Sequence, residues 1–180
     1  KEEIEVWLNQ YNIINYELIK DKKYGYVVNV DGYVDLNNKD LKSIDVKFNE
    51  IKGFFTCGSN ELKSLEGCPK IVEGNFNCSY NELKSLEGCP EIVNQDFNCS
   101  HNRLTSLEGC PNSVKGYFSC SHNRLTSLKG CSEIVEGSFG CNNNLLNFDK
   151  LKYLPKKINK NFINILNNKK LGELQNITNF

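Results

Sequence analysis

Methionine is absent from the chain, tryptophan occurs once, histidine twice and proline four times. Acidic and basic side chains cancel, 22 against 22, so no global field draws the protein to nucleic acid or to an anionic membrane. No apolar run nears the roughly 18 residues of a membrane-spanning helix, and the N-terminus lacks the apolar segment of a signal peptide. The missing methionines include an initiator, which leaves a removed targeting segment open. No P-loop, no GxGxxG after a strand, no HExxH and no nucleophile elbow is present. The expectation is therefore a non-enzymatic protein with no cofactor, no metal, no nucleic-acid partner and no membrane partner.

What is present is repetition. From Gly53 to Lys157 the chain reads, every 21 residues, GFFTCGSNELKSLEGCPKIVE, GNFNCSYNELKSLEGCPEIVN, QDFNCSHNRLTSLEGCPNSVK, GYFSCSHNRLTSLKGCSEIVE and GSFGCNNNLLNFDKLKYLPKK. A fixed period of this length is the mark of a stacked solenoid. A chain of 180 residues suffices for one domain with a continuous core.

Each recurring letter has a task in such a stack. Phe55, Phe76, Phe97, Phe118 and Phe139 stand two residues before Cys57, Cys78, Cys99, Cys120 and Cys141, so both columns point inward from a short strand. Leu62, Leu83, Leu104 and Leu125, with Leu65, Leu86, Leu107 and Leu128, fill the turn side, and Val72, Val93, Val114 and Val135 close the back. Asn60, Asn81, Asn102, Asn123 and Asn144 form a polar ladder able to bond backbone groups of its own turn and the next rung. Gly67, Gly88, Gly109 and Gly130 mark a bend where a helix cannot continue. The side opposite the strands is therefore expected to be irregular or 3₁₀.

The nine cysteines follow the repeat. Five occupy the strand column, and Cys68, Cys89, Cys110 and Cys131 a second one. Small buried thiols suit a narrow core. An odd total in two homogeneous columns gives no disulfide pairing scheme, and zinc would need CxxC or a nearby Cys/His set, which is missing. Reduced, structural thiols point to a cytosolic compartment.

The ends depart from the period. KEEIEVWLNQY places Ile4, Trp7, Leu8 and Tyr11 on one helical stripe, and Ile14 to Val30 reads as a β-hairpin around DKKYG. Together residues 1–31 form an N-terminal cap, since an end rung otherwise exposes core and strand edge. From Gly32 to Lys52 a divergent sixth copy sets Val34, Leu36, Leu41, Ile44 and Ile51 in the columns of Phe55, Cys57, Leu62, Leu65 and Val72, with Lys39 at the Asn position and Lys47–Phe48 at the Cys-Pro step. The fifth regular copy drifts at Phe148, Leu151 and Leu154. With a shift of two, Ile158, Phe162, Asn164 and Asn167 echo the Val, Phe, Cys and Asn columns. The solenoid is placed at 32–170, six to seven rungs, and residues 171–180 as a C-terminal cap or tail.

The block xFxCSxNxLxSL resembles the leucine-rich repeat pattern LxLxxNxLxxL over roughly Gly32 to Lys170, with Phe, Cys and GCP where that family usually has Leu, Leu and LP. The resemblance implies an α/β repeat solenoid with a parallel sheet on a concave face. The short NxLxSLEGCP repeats, with the helix and hairpin, are similar to small bacterial and bacteriophage members. That likeness implies binding of a protein partner, in the bacterial host cytosol if phage-encoded, and as its extension inhibition of a host or defence protein. The alternative is the recognition domain of a larger secreted effector.

Outward positions on the strand face are where function would reside. One column runs Tyr33, Phe54, Asn75, Asp96, Tyr117, Ser138; the next Asp35, Thr56, Asn77, Asn98, Ser119, Gly140; a third Asn37, Gly58, Ser79, Ser100, Ser121, Asn142; and a fourth Asn38, Ser59, Tyr80, His101, His122, Asn143. The first and fourth vary while the core columns hardly do. Aromatics among small polar residues suit a protein interface, so Tyr33, Phe54, Asn75, Tyr80, Asp96, His101, Tyr117 and His122 are the candidate contact residues. His101 and His122, one rung apart, either form a pH-sensitive or metal-binding cluster with Asp96 and Tyr117 or simply belong to the duplicated CSHNRLTSL. Along the turn edge Glu61, Glu82, Arg103 and Arg124 switch from acidic to basic, either orienting a partner or forming a solvated rim. Sequons at Asn77, Asn98 and Asn176 fall in strand or tail settings and are taken as coincidence.

Overall fold

A computed structural model describes residues 1–147 and 153–158 and the backbone of 163–164. Over that range the chain is a parallel-strand solenoid with turns of about 21 residues. Helix α1 (Glu2–Gln10) leads into a hairpin of β1 (Tyr16–Asp21) and β2 (Gly25–Val30). The tight turn between them is closed by the Asp21 carboxylate, which accepts the Lys23 and Tyr24 backbone N–H groups at 2.8 Å each. Leu8 is fully buried, while Ile4, Trp7 and Tyr11 pack half-buried against the core.

Each rung then contributes two short strands to two sheets. One sheet of seven strands takes the segments before the thiol column: β3 (Val34–Asp35), β5 (Phe55–Thr56), β7 (Phe76–Asn77), β9 (Phe97–Asn98), β11 (Phe118–Ser119), β13 (Phe139–Gly140) and β15 (Ile163–Asn164). A second, eight-stranded sheet begins with the hairpin. It continues through β4 (Phe48–Ile51), β6 (Ile71–Val72), β8 (Ile92–Val93), β10 (Ser113–Val114), β12 (Ile134–Val135) and β14 (Lys157–Ile158). The expected irregular or 3₁₀ side is therefore a second ladder. Its cause is local: the Ile-Val pairs are β-branched, and in-register copies offer each other complete backbone partners. The hairpin joins this sheet when β2 pairs in parallel with β4, with a register shift at Val28/Asn29.

The divergent copy stacks in the columns expected of it, with Val34 opposite Phe55 and Ile51 opposite Val72. At the other end Ile158 lies opposite Val135, in the Val column. The next strand differs by one residue: Ile163 faces Phe139 and Asn164 faces Gly140. The Phe column thus passes from Phe139 to Ile163, a step of 24 residues, whereas the sequence pattern had aligned Phe162 and placed Asn164 in the Cys column. Phe148, Leu151, Phe162, Asn167 and the tail 171–180 lie outside the described residues. Among those described, no helix is long and apolar enough to cross a membrane.

The core is one continuous chain of contacts. Trp7 meets Phe48 edge-on at 6.1 Å, Phe48 meets Phe55 at 5.4 Å, and the Phe column continues to Phe139 at 4.9–5.8 Å between rings. Beside it Cys78, Cys99 and Cys120 donate their thiols to the carbonyls of Asn98, Ser119 and Gly140 on the next rung. Burial pushes these three thiols well above their usual range, and Cys141 up to about 12. They are core side chains held in the neutral form. At the bend Gly109 has φ +93° with the Leu86 carbonyl oxygen 2.9 Å from where a Cβ would sit. Only glycine satisfies both conditions.

The asparagine ladder ties rung to rung. Asn102 accepts the Leu83 N–H at 3.0 Å and donates its amide to Cys78, Cys99 and Ser100 carbonyls at 3.0–3.2 Å. Asn81, Asn123 and Asn144 repeat the same set. Removing the Asn102 amide strands the buried Leu83 N–H, costing about 1–3 kcal/mol, while the Cys78, Cys99 and Ser100 carbonyls keep donors from Asn81, Asn123 and the Tyr80 N–H. Asn102→Ala is therefore expected to lower stability by about 1–3 kcal/mol in urea denaturation, while Thr105→Ala, exposed on the same turn, changes it by less than about 0.5 kcal/mol.

Candidate binding face

The outward side of the seven-stranded sheet is not the uniform surface its sequence suggests. Its two middle columns satisfy themselves. The Thr56 hydroxyl donates to Asn37 Oδ1, Asn98 Oδ1 accepts both the backbone N–H and hydroxyl of Ser100, and the Ser121 hydroxyl donates to Asn142 Oδ1. Thr56, Ser79, Ser100, Ser119 and Ser121 are all buried. A partner would find little unspent bonding capacity there, so the margins are what remain.

The candidate residues separate into three groups along those margins. On the first margin Tyr33 stacks on Phe54 at 4.8 Å, both exposed. Further along, Asn75 Oδ1 accepts the Asp96 N–H at 3.0 Å, and Asp96 Oδ1 accepts the Tyr117 N–H at 2.7 Å. The Tyr117 hydroxyl lies over Gly140, where any Cβ would collide with it.

The opposite margin carries the third group. Tyr80 stacks on His101 with ring centroids 4.0 Å apart and planes 8° from parallel; His101 stacks on His122 at 4.1 Å and 11°. The Asn143 side-chain amide closes the row against His122 Nε2 at 2.8 Å. The sequence reading did not single out Asn143, although it belongs to the same column. Five residues of chain separate the two margins on a rung, about 15 Å at strand rise. Asp96 and Tyr117 therefore do not join the histidines.

Backbone geometry sets this fourth column apart. Asn38, Ser59, Tyr80, His101, His122 and Asn143 all have φ of 53–54°, in the left-handed region. The conformation follows from the chain leaving the sheet while the next residue, the ladder Asn, must turn inward. Backbone bonds lock it: the Tyr80, His101 and His122 N–H groups donate to Ser100, Ser121 and Asn142 carbonyls at 2.9–3.1 Å. Glycine accepts this region freely and asparagine at modest cost, as at Asn38 and Asn143. A tyrosine there costs about 1 kcal/mol or more.

Chemically, the stack presents ring edges and the outer face of Tyr80. Parallel imidazoles 4.1 Å apart hold their in-plane lone pairs side by side, without convergence on one ion. Among the described residues no group of three or more His, Cys, Asp or Glu is arranged to hold a metal. His101 lies below the usual imidazole range because the stack desolvates it and because the His122 charge opposes its own. No family model matches this chain, and no curated protein or solved structure matches it either.

Two outcomes follow for stability. Between the lowered His101 value and the ordinary value near 6.5, the folded protein binds fewer protons than the unfolded chain. Stability therefore falls as pH drops through that window. Urea midpoints measured from about pH 7.5 to about pH 5 are expected to decline, and His101→Asn, which keeps a residue tolerant of the left-handed region, flattens the decline. Separately, Ser59→Gly relieves the backbone cost without touching a ring and is expected to add about 1 kcal/mol.

Proposed function

We propose that this solenoid is a non-enzymatic protein-binding module of the leucine-rich repeat kind. The observation that carries the reading is the placement of Tyr80, His101 and His122 as a stack on the surface, with Tyr80 and His122 exposed and His101 half-buried between them, at left-handed positions where glycine or asparagine would cost less. Packing does not require them, because the core columns lie on the other side of the strand. Backbone cost retained at exposed planar side chains is the usual accompaniment of a contact surface. Stacking also immobilises the rings in advance, so a partner meets area that costs little further entropy.

Buried, neutral thiols support the non-enzymatic part of the reading, since the thiolate is the reactive form. The finer identity rests on resemblance alone. Small phage-encoded leucine-rich repeat proteins share the short NxLxSLEGCP repeat and the helix-plus-hairpin start, and on that basis the partner is a bacterial host or defence protein met in the cytosol and inhibited by docking.

Affinity purification from a bacterial background with mass spectrometry tests the reading. One dominant protein is expected, and its recovery should drop at least about tenfold when His101→Ala and Tyr117→Ala are combined, the scale of a hot-spot truncation. Undiminished recovery with folded protein would move the site away from this face.

A further inference from the structure

The turn edge bordering the ring stack carries a local charge imbalance in a chain that is neutral overall. Two residues beyond Tyr80, His101 and His122 stand Glu82, Arg103 and Arg124, and Lys63 and Lys84 lie further along the same edge. Pairing runs between rungs: Lys42 to Glu61 at 3.9 Å, Lys63 to Glu82 at 4.0 Å, and Arg103 to Glu82 at 2.7 Å. Glu82 therefore serves two cations. Lys84 and Arg124 have no carboxylate partner among the described residues. Lys63, Glu82, Lys84 and Arg103 line a recess of about 270 Å³, three cations against one carboxylate. Arg124 continues the row on the next rung. Beside it the His101 ring nitrogens have no hydrogen-bond partner among the described residues.

We propose that this edge docks an acidic segment of a protein partner, with one carboxylate in the Lys63–Lys84–Arg103 recess and another on Arg124, while Tyr80 and the imidazole edges cover the segment's flank. The proposal rests on the protein-binding role given above to the ring stack and adds the chemistry of its occupant. Charge complementarity selects the acid: the recess already holds one carboxylate, Glu82, and has two cations in excess. The stack disfavours nucleic acid. Single strands bind by laying successive bases on several open ring faces, and here His101 is covered on both faces at 4.0 and 4.1 Å, which leaves only the outer face of Tyr80 to take a base. The contacting cations are exposed, so the attraction weakens with salt.

Fluorescence anisotropy of a labelled short poly-glutamate peptide against the full chain reads this directly, with the poly-glutamine counterpart and a labelled oligo-dT as the other arms. The glutamate peptide alone is expected to bind at low salt. Lys84→Glu and Arg124→Glu should each weaken it about three- to fivefold, as exposed ion pairs do, and Lys115→Glu, away from this edge, should leave it unchanged. Equal binding of the glutamine peptide, tighter binding of oligo-dT, no binding of the glutamate peptide, or indifference to both reversals overturns the proposal. With a partner in hand the two readings separate. Reversals without effect while Tyr80→Ala abolishes capture remove the acidic segment and leave the ring stack; Tyr80→Ala without effect removes the stack.

Discussion

From Leu41 to Leu125 each rung depends on a side-chain amide supplied by the rung after it. Leu83 would have an unpaired buried N–H without Asn102, and the Cys78 carbonyl would lose a donor at the same place. Because the bonds run between copies, no copy closes its own turn. Strands of two residues cannot persist alone, and their persistence here comes from in-register neighbours on both sides. The same dependence explains why Phe, Cys, Asn, Leu and Gly barely change: a substitution in one copy disturbs the packing of the copies it touches.

The columns facing the core were legible because burial and period coincide there. Phe55 through Phe139 and Cys57 through Cys141 are all fully buried, as alternation along a short strand demands. The divergent copy at Val34–Ile51 was legible for the same reason, since a stack reads column identity and tolerates varied side chains. The second sheet was not, because two-residue strands such as Ile92–Val93 have no periodicity of their own and exist only through pairing. Nor was the 24-residue step to Ile163: a shift inside a loop changes register without leaving an apolar signature.

The candidate face was legible only as a list of variable positions. Sequence placed Tyr33, Phe54, Asn75, Tyr80, Asp96, His101, Tyr117 and His122 on one side of one sheet, which the structure separates into an aromatic and carboxylate margin and a ring-stack margin. What sequence lacked was the state of the residues between them. Ser100 and Asn98 look available as letters, yet they bond each other. The left-handed φ at Tyr80 was equally hidden, because a Tyr in that position contradicts its own preference. It is visible only as a column whose end members, Asn38 and Asn143, are residues the region favours.

In-register stacking has a further electrostatic consequence. Any charge repeated in successive copies faces its duplicate about 4.8 Å away, a repulsion of about 1 kcal/mol even at the dielectric of water. The chain avoids this at Glu61 and Glu82 by setting Lys42, Lys63 and Arg103 around them. It avoids it only in part on the next two rungs, where Glu82 takes Arg103 but Arg124 has no carboxylate partner among the described residues. Those two rungs come from the copies that are nearly identical, so the duplication that gives the stack its regularity also sets the unpaired Arg124 beside Arg103. An anionic group arriving there relieves a repulsion the fold itself creates. That makes the edge an attractive site independent of how many further contacts a partner offers.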